Sequence, residues 1–293
     1  VYGSMDTFLD RGPELARLRR ALRHDGDALA CVYGRRRLGK SRLIRELVAE
    51  RPVVYYVGDD RNAPVQRDAL AREIGRLLPG FAAVTYPGWN ELLDRFWREA
   101  PPDVPLVIDE FPSLVTVSPE LPSLLQKYCD LTSGRRRKTI LCGSSQRMML
   151  GLLLDAQAPL HGRAREIVKL EPLEAGWLSH AIPVRDPADA VERWAVWGGV
   201  PRYWELARDH RRHADAVRAL LLDPLGVLHR EPERLLLDEM TEATRAASVL
   251  ALIGQGCHRI SEIGGRLGQP ATSLARPLGR LVDLGFVARE VPF

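Results

Sequence analysis

The clearest chemistry in the chain sits in one short run, Gly34-Arg35-Arg36-Arg37-Leu38-Gly39-Lys40-Ser41, which has the spacing G-x-x-x-x-G-K-[ST]. A phosphate is best held by donors that approach without side-chain obstruction, so flanking glycines let the backbone N–H groups face the anion. Gly34 and Gly39 supply that freedom. Lys40 adds a mobile charge suited to β- and γ-phosphates, and the Ser41 hydroxyl can ligate Mg²⁺. Chance produces this spacing in roughly one sequence in a hundred of this length. The context is also right, because an apolar run at Ala28 to Tyr33 precedes the loop and an amphipathic helix with Leu43, Leu47 and Val48 follows it. The whole loop, with Arg42 just beyond it, is expected to contact nucleotide.

A second run, Val104-Pro105-Leu106-Val107-Ile108-Asp109-Glu110, is an apolar strand ending in two acids. Alone it reads as solvated carboxylates at a strand end. Downstream of a phosphate loop it implies more: Asp109 can hold Mg²⁺ opposite Ser41, directly or through water. Glu110 is placed as the base that polarises an attacking water. A third strand ends in Cys142-Gly143-Ser144-Ser145. Its hydroxyls, Ser144 first, can sense a γ-phosphate or the lytic water, and a plain turn or helix cap explains the same letters.

These residues need an α/β framework. From Phe8 to about Leu170, short apolar runs at Ala28 to Tyr33, Val53 to Val57, Leu106 to Ile108, Thr139 to Cys142 and Glu166 to Leu170 alternate with helical patterns. The opening helix starts near Gly12-Pro13-Glu14, with Asp10 as its cap. Other helices span Ser41 to Glu50 and Trp89 to Glu99; in the latter, Trp89, Leu92, Leu93, Phe96 and Trp97 form a core stripe at helical spacing. Beyond Pro172 the strand-like runs give way to helical segments broken at Pro183, Pro187, Gly198 to Pro201 and Pro224. After Met240, helices at Val249 to Ile253, Ile260 to Leu267 and Leu274 to Leu284, then strand-like Phe286 to Arg289, outline a winged helix-turn-helix. The expected fold is a parallel α/β sheet over 5–171, an all-helical lid over 172–240 and the winged helix over 241–293.

Bulk composition limits the alternatives. Hydrophobic residues make up 45% and charged residues 27% of the 293, which gives no reason to expect disorder. Lys+Arg exceed Asp+Glu by 42 to 38, for a formal charge of +4. That excess suits an anionic partner but fits an ordinary arginine-rich surface equally. Cys31, Cys129, Cys142 and Cys257 show no C-x-x-C spacing and read as reduced thiols, consistent with the cytoplasm. No apolar run is long enough for a membrane span, and no secretory leader is evident. Val1 to Ser4, ahead of Met5, resemble a cloning scar.

The chain resembles the archaeal-type ATPases of the STAND group, within the AAA+-related P-loop NTPases. Phe8 to Leu15 is similar to F-x-x-R-x-x-E-L, Tyr33 to Ser41 to Y-G-R-R-R-x-G-K-[ST], and Leu106 to Phe111 to L-V-I-D-E-F. Leu141 to Ser145 is similar to L-x-G-S-S, Pro159 to Arg163 to P-L-Y-G-R, and Gly198 to Tyr203 to G-G-I-P-x-Y. The resemblance implies binding of ATP and Mg²⁺, and a sheet in which the serine-bearing strand separates the P-loop strand from the acidic strand. It also implies that Pro201 packs near the adenine or relays nucleotide state to the helical domain. Arg163 would be an arginine that reaches a γ-phosphate in its own or a neighbouring subunit of a nucleotide-dependent homo-oligomer, although His161 stands where the family has tyrosine. Family members often continue into a nuclease-like domain, whose junction would fall at Val291-Pro292.

Two basic runs, Arg35 to Arg37 and Arg135 to Lys138, differ in setting. The first is inside the loop, while the second reads as an exposed loop before a strand. On the last helix Thr272, Ser273, Arg276 and Arg280 share a face that invites DNA, and Pro277 opposes it by breaking the helix or forcing its start to about Arg276. A protein partner for this element is the other expectation. The leading reading is a Mg²⁺-dependent ATPase switch: Lys40 and the loop hold phosphates, Ser41 and Asp109 hold the metal, and Glu110 activates water. The alternative is a nucleotide-gated DNA-binding regulator with slow or no turnover. A P-loop kinase fits less well, because it needs no glutamate beside the metal carboxylate.

Overall fold

The computed structural model describes residues 8–131, 134–240 and 243–290, apart from the side chain of Asp238. The segments 1–4 and 291–293, which carry the scar-like residues and the Val291-Pro292 junction, lie outside the described residues. The chain divides into two compact units, one through Ala216 and one from Val217.

The first unit is built on a five-stranded, all-parallel sheet of β1 (Ala28–Tyr33), β2 (Val54–Val57), β3 (Pro105–Asp109), β4 (Lys138–Gly143) and β5 (Ala164–Lys169), in the order β2-β3-β4-β1-β5. The serine-bearing β4 thus lies between the strand of the loop and the strand of the acids. Every residue of β1, β3 and β4 is buried, as expected where helices cover both faces. On one face α1 (Gly12–Leu22) and α2 (Lys40–Val48) pack Leu18, Leu43 and Ile44 against Ala30, Val32, Val107 and Ile140. On the other lie α3 (Ala63–Gly75), α4 (Trp89–Glu99), α5 (Phe111–Val117), α6 (Leu121–Asp130) and α7 (Gln146–Leu154). The α4 stripe is core as expected, since Trp89, Leu92, Leu93, Phe96 and Trp97 are all buried. Each such side chain contributes roughly 1.5–3 kcal/mol through burial. After β5 the same unit continues through α8 (Leu178–Ala181), α9 (Pro187–Trp197), α10 (Pro201–Arg208) and most of α11 (His213–Val217).

Two local features differ from expectation. The cap of α1 is Arg11, left-handed at φ 80°, with no side-chain cap bond, so Asp10 does not cap it. Lys138 is not part of an exposed loop: it opens β4 fully buried, with its ammonium donating to the carbonyls of His24 and Gly26. Burial lowers its pKa, and Asp103, 3.6 Å away, offsets part of that effect. Arg135 and Arg136 are exposed, as expected. The four cysteines are free thiols.

The second unit contains α12 (Glu231–Glu239), α13 (Ala243–Gly254), α14 (Ile260–Leu267) and α15 (Ala271–Asp283), around a core of Leu236, Val249, Ile263, Leu274 and Leu281. Pro277 does not delay α15, which starts at Ala271 and carries the proline inside it, buried. The lost backbone hydrogen bond is offset by apolar burial of the ring. Arg276 and Thr272 are exposed, while Ser273 and Arg280 are half-buried. Phe286 to Arg289 form no strand. The chain turns at Gly285, φ 72°, and Phe286 and Val287 fold back onto the helical core, their N–H groups donating to Leu281 O. A strand needs a paired neighbour, and among the described residues this segment pairs with none. Among those residues, no helix is long and apolar enough to cross a membrane.

Candidate active site

Parallel pairing sets the site. Tyr33 of β1 is level with Gly143 of β4, and Ile108 of β3 with Leu141, so the loop, Asp109-Glu110 and Ser144 all leave the sheet at its C-terminal edge. Ligands of open α/β sheets bind at this edge. The loop begins at Gly34, φ 153°, where an added Cβ would stand 2.5 Å from Leu170 O. It ends at Gly39, φ 90°, the cap of α2, where the strain of a side chain would come from the backbone angle alone. The N-terminus of α2 therefore opens onto the loop with its unpaired N–H groups and positive dipole end.

Lys40 is 5% exposed, and its ammonium donates to Gly34 O at 2.8 Å and Arg35 O at 2.9 Å. These two bonds curl the loop around the lysine. The Ser41 hydroxyl donates to Asp109 Oδ2 at 2.6 Å, which joins the loop to the acidic strand. A tyrosine does the same from the sheet edge: Tyr55 Oη donates to Asp109 Oδ2, also at 2.6 Å, and the Glu110 N–H donates to Oδ1 at 3.0 Å. Burial alone would raise the Asp109 pKa, but the donors, led by Ser41 and Tyr55, outweigh it and hold the carboxyl below its usual value. Burial and the same carboxylate push the Tyr55 phenol well above its ordinary pKa, so it stays a donor.

Glu110 caps α5 in the left-handed region, φ 51° and ψ 41°, a conformation that costs a non-glycine residue roughly 1–2 kcal/mol. The Ser144 hydroxyl donates to Glu110 Oε1 at 2.6 Å, and the Ser144 N–H to Oε2 at 3.3 Å. Ser145 has a different task, capping α7 through Met148 N.

Around these groups lies a cavity of about 700 Å³, lined in part by Arg36, Arg37, Leu38, Gly39, Lys40, Ser41, Arg42, Glu110, Ser144 and Pro201. Nearly all the expected contact residues are therefore brought together. Gly34 and Arg35 act behind them by holding Lys40, and Asp109 sits behind Ser41. Arg163 is not among them. It precedes β5 at the opposite edge of the sheet, where its guanidinium grips Asp130 through two bonds of 2.8 and 2.9 Å.

The cavity also contains residues that the sequence did not single out as contacts: Phe8, Leu9, Arg11, Ser113, Leu173, Arg202 and Glu205. Arg11 is buried, donating to Glu171 O at 2.7 Å and Leu38 O at 3.4 Å, and it pairs with Glu14 at 3.0 Å. It staples the start of α1 to the loop and to the exit of β5. The motif F-x-x-R-x-x-E-L contains Phe8 and Arg11, so that signal was present. Arg42 lies 6.0 Å from the Phe8 ring and Arg37 5.9 Å from the Tyr203 ring, at the outer limit of a cation–π contact. Leu173 N–H donates to Gly199 O at 2.8 Å, which brings the segment before α10, and hence Pro201, to the cavity.

Among the described residues, no group of three or more His, Cys, Asp or Glu side chains could hold a metal ion by itself. A single ionised carboxylate beside a hydroxyl, at the mouth of a basic phosphate-sized loop, instead suits Mg²⁺, which is commonly held by one or two protein oxygens together with substrate phosphates. Ser41 and Asp109 fit that donor set.

A parallel sheet in this order, with a lysine-bearing glycine loop after one strand and an acid pair after another, defines the P-loop nucleoside triphosphatase fold. The chain belongs to the family of ATPase domains found predominantly in Archaea, whose model matches residues 8–205. Over 294 aligned residues it is 26% identical to an uncharacterised protein of Methanocaldococcus jannaschii, covering 97% of this chain and 63% of that protein's length. Among solved structures it is similar to the Walker-type ATPase of Pyrococcus abyssi, with a TM-score of 0.71 and 21% identity over 97% of this chain and 91% of that one. It also resembles the ORC2 protein of Aeropyrum pernix, solved with ADPNP and ADP, with a TM-score of 0.60 and 18% identity over 97% and 88% of the two chains. These likenesses are of fold.

Proposed function

We propose that the chain is a Mg²⁺-dependent, ATP-hydrolysing switch of the STAND/AAA+ type. The observation that carries this reading is the meeting of Lys40, Ser41, Glu110 and Ser144 on one cavity, with Asp109 bonded directly to Ser41. Lys40 and the loop N–H groups would hold phosphates, and Ser41 and Asp109 would hold the metal. Bound Mg²⁺ would supply charge neutralisation at the phosphate oxygens. Glu110 is the base, its carboxylate oriented by Ser144 and facing the same cavity.

Pro201, at the first position of α10, is proposed as the contact through which nucleotide occupancy reaches the helical part, with 172–240 as lid and 241–293 as a winged-helix output domain. Helices α13 to α15 are those such a domain needs. Arg163 would serve as an arginine finger only toward a neighbouring subunit, since in its own chain it lies at the other edge of the sheet. Cytoplasmic residence is part of the same reading and is supported by the free thiols.

The experiment is equilibrium ATP binding and phosphate release with Lys40→Ala and Glu110→Gln. The first should abolish binding; the second should bind ATP and fail to turn it over. The second reading, a nucleotide-gated DNA-binding regulator, draws on exposed Arg276 on α15. Duplex DNA titrated against ATP-loaded and ADP-loaded protein tests it, and no salt-dependent binding in either state removes it.

A further inference from the structure

Tyr55 belongs to no motif, yet it is bonded to the acid on which the metal reading depends. It sits on edge strand β2, where side chains alternate between the two faces of the sheet. Val54 and Tyr56 enter the core on the α3 and α4 side, whereas Tyr55 packs on the α2 side, half-buried, with the Arg45 guanidinium 5.8 Å from its ring. In the register Tyr55 pairs with Val107, and Asp109 pairs with Val57, so Tyr55 stands one strand across and two residues behind the acid. Two residues of strand rise roughly 7 Å. A phenol spans that gap and a serine or threonine would not. Its hydroxyl reaches the same oxygen, Asp109 Oδ2, that accepts the Ser41 hydroxyl, both at 2.6 Å.

We infer that Tyr55 is a positioning residue for the Mg²⁺-binding carboxylate: its hydroxyl fixes the rotation of Asp109 and so presets the acid for metal before nucleotide arrives. The Ser41 hydroxyl has a single proton, and its oxygen is itself a proposed metal ligand, so it cannot fix Asp109 independently of the metal. Tyr55 can, because it approaches from the sheet edge, outside the cavity-lining set. Glu110 N–H holds the other oxygen. Together they clamp both ends of the carboxylate. Partners that orient a metal-binding carboxylate typically matter 10- to 100-fold in metal affinity when removed.

This inference rests on the Mg²⁺-dependent reading above, and its test separates the two. A fluorescent ATP analogue is titrated against the parent and Tyr55→Phe, in EDTA and over a series of Mg²⁺ concentrations, with folding checked by circular dichroism. In the parent, ATP affinity should rise with Mg²⁺. In Tyr55→Phe the Mg²⁺ concentration giving half that rise should increase about 10- to 100-fold, with affinity in EDTA unchanged. An unshifted midpoint, or an equal loss with and without Mg²⁺, overturns the role of Tyr55 and leaves the site reading intact. A parent whose affinity ignores Mg²⁺ overturns the metal reading itself. Tyr55→Met, which fills the edge position with no donor, is the second variant and replaces the first should Tyr55→Phe fail to fold. Its midpoint should shift by the same 10- to 100-fold, with affinity in EDTA unchanged, and a shift of less than about tenfold in it overturns the role of Tyr55.

Discussion

Replacing Arg11 by methionine should loosen the first unit and the nucleotide loop together. Methionine fills similar space without donors, so the change isolates the guanidinium. Arg11 is 6% exposed and donates to Glu171 O at 2.7 Å, and a buried hydrogen bond from a charged group is worth about 1.5–3 kcal/mol. The contact with Leu38 O, at 3.4 Å, is long and adds little. Glu14 loses its partner but keeps about a fifth of its side-chain exposure, so that pair adds at most about 1 kcal/mol. The left-handed backbone at Arg11 costs both residues alike and cancels. The expected loss is about 2–4 kcal/mol, or a fall in Tm of about 5–15 °C for a unit of this size. Differential scanning fluorimetry with and without ATP would read it. The same variant, held well below its Tm, should bind ATP more weakly, because Arg11 itself lines the cavity. A Tm within about 2 °C of the parent would refute the staple.

Glu110→Gln should leave ATP affinity near the parent's and slow phosphate release at least ~10²-fold, the usual scale for a lost general base. Gly34→Ala places a methyl 2.5 Å from Leu170 O in a backbone region alanine avoids, and should lower thermal stability by about 1–3 kcal/mol; an unchanged melt would contradict that crowding. Asp189 is buried beside Arg193 and accepts from the Arg185 backbone and side chain, contacts that depress its pKa. Its stabilisation is therefore present above the unfolded carboxyl value near 3.9 and lost as pH falls below it toward the folded value. Asp189→Asn should be less stable than the parent at pH 7, with the gap closing below about pH 4 in urea melts. For Arg163, turnover lost in Arg163→Ala should return on mixing with Lys40→Ala subunits, and no recovery at any protein ratio argues against action in trans.

The sheet strands and most of the residues that meet on the cavity were legible because each rests on a local rule. An apolar run between helical patterns marks a buried parallel strand, and glycine, lysine and serine at fixed offsets mark a phosphate loop. What the sequence could not supply depends on neighbours far along the chain. Tyr55 lies 54 residues before Asp109 and meets it only through the β2-β3 register. Lys138 read as part of a charged run because its burial is set by the carbonyls of His24 and Gly26 across the sheet. Pro277 was weighed as a helix breaker on its intrinsic cost, which the packing of α15 overrides. Phe286 and Val287 have strand-like letters, but among the described residues they pair with no strand and fold onto the helical core. Arg11 was visible within a motif, while its bonds to Glu171 and Leu38 required the closed unit.

The loop from Gly34 to Ser41 is proposed to bind the phosphates of ATP, which the chain would then hydrolyse. The most direct measurement is isothermal titration of MgATP into the parent and Lys40→Ala, paired with phosphate release from the same samples. The parent should show saturable binding and steady phosphate release, with both lost in the variant. Equal affinity in the two proteins, or phosphate release that persists without Lys40, would contradict that role of the loop.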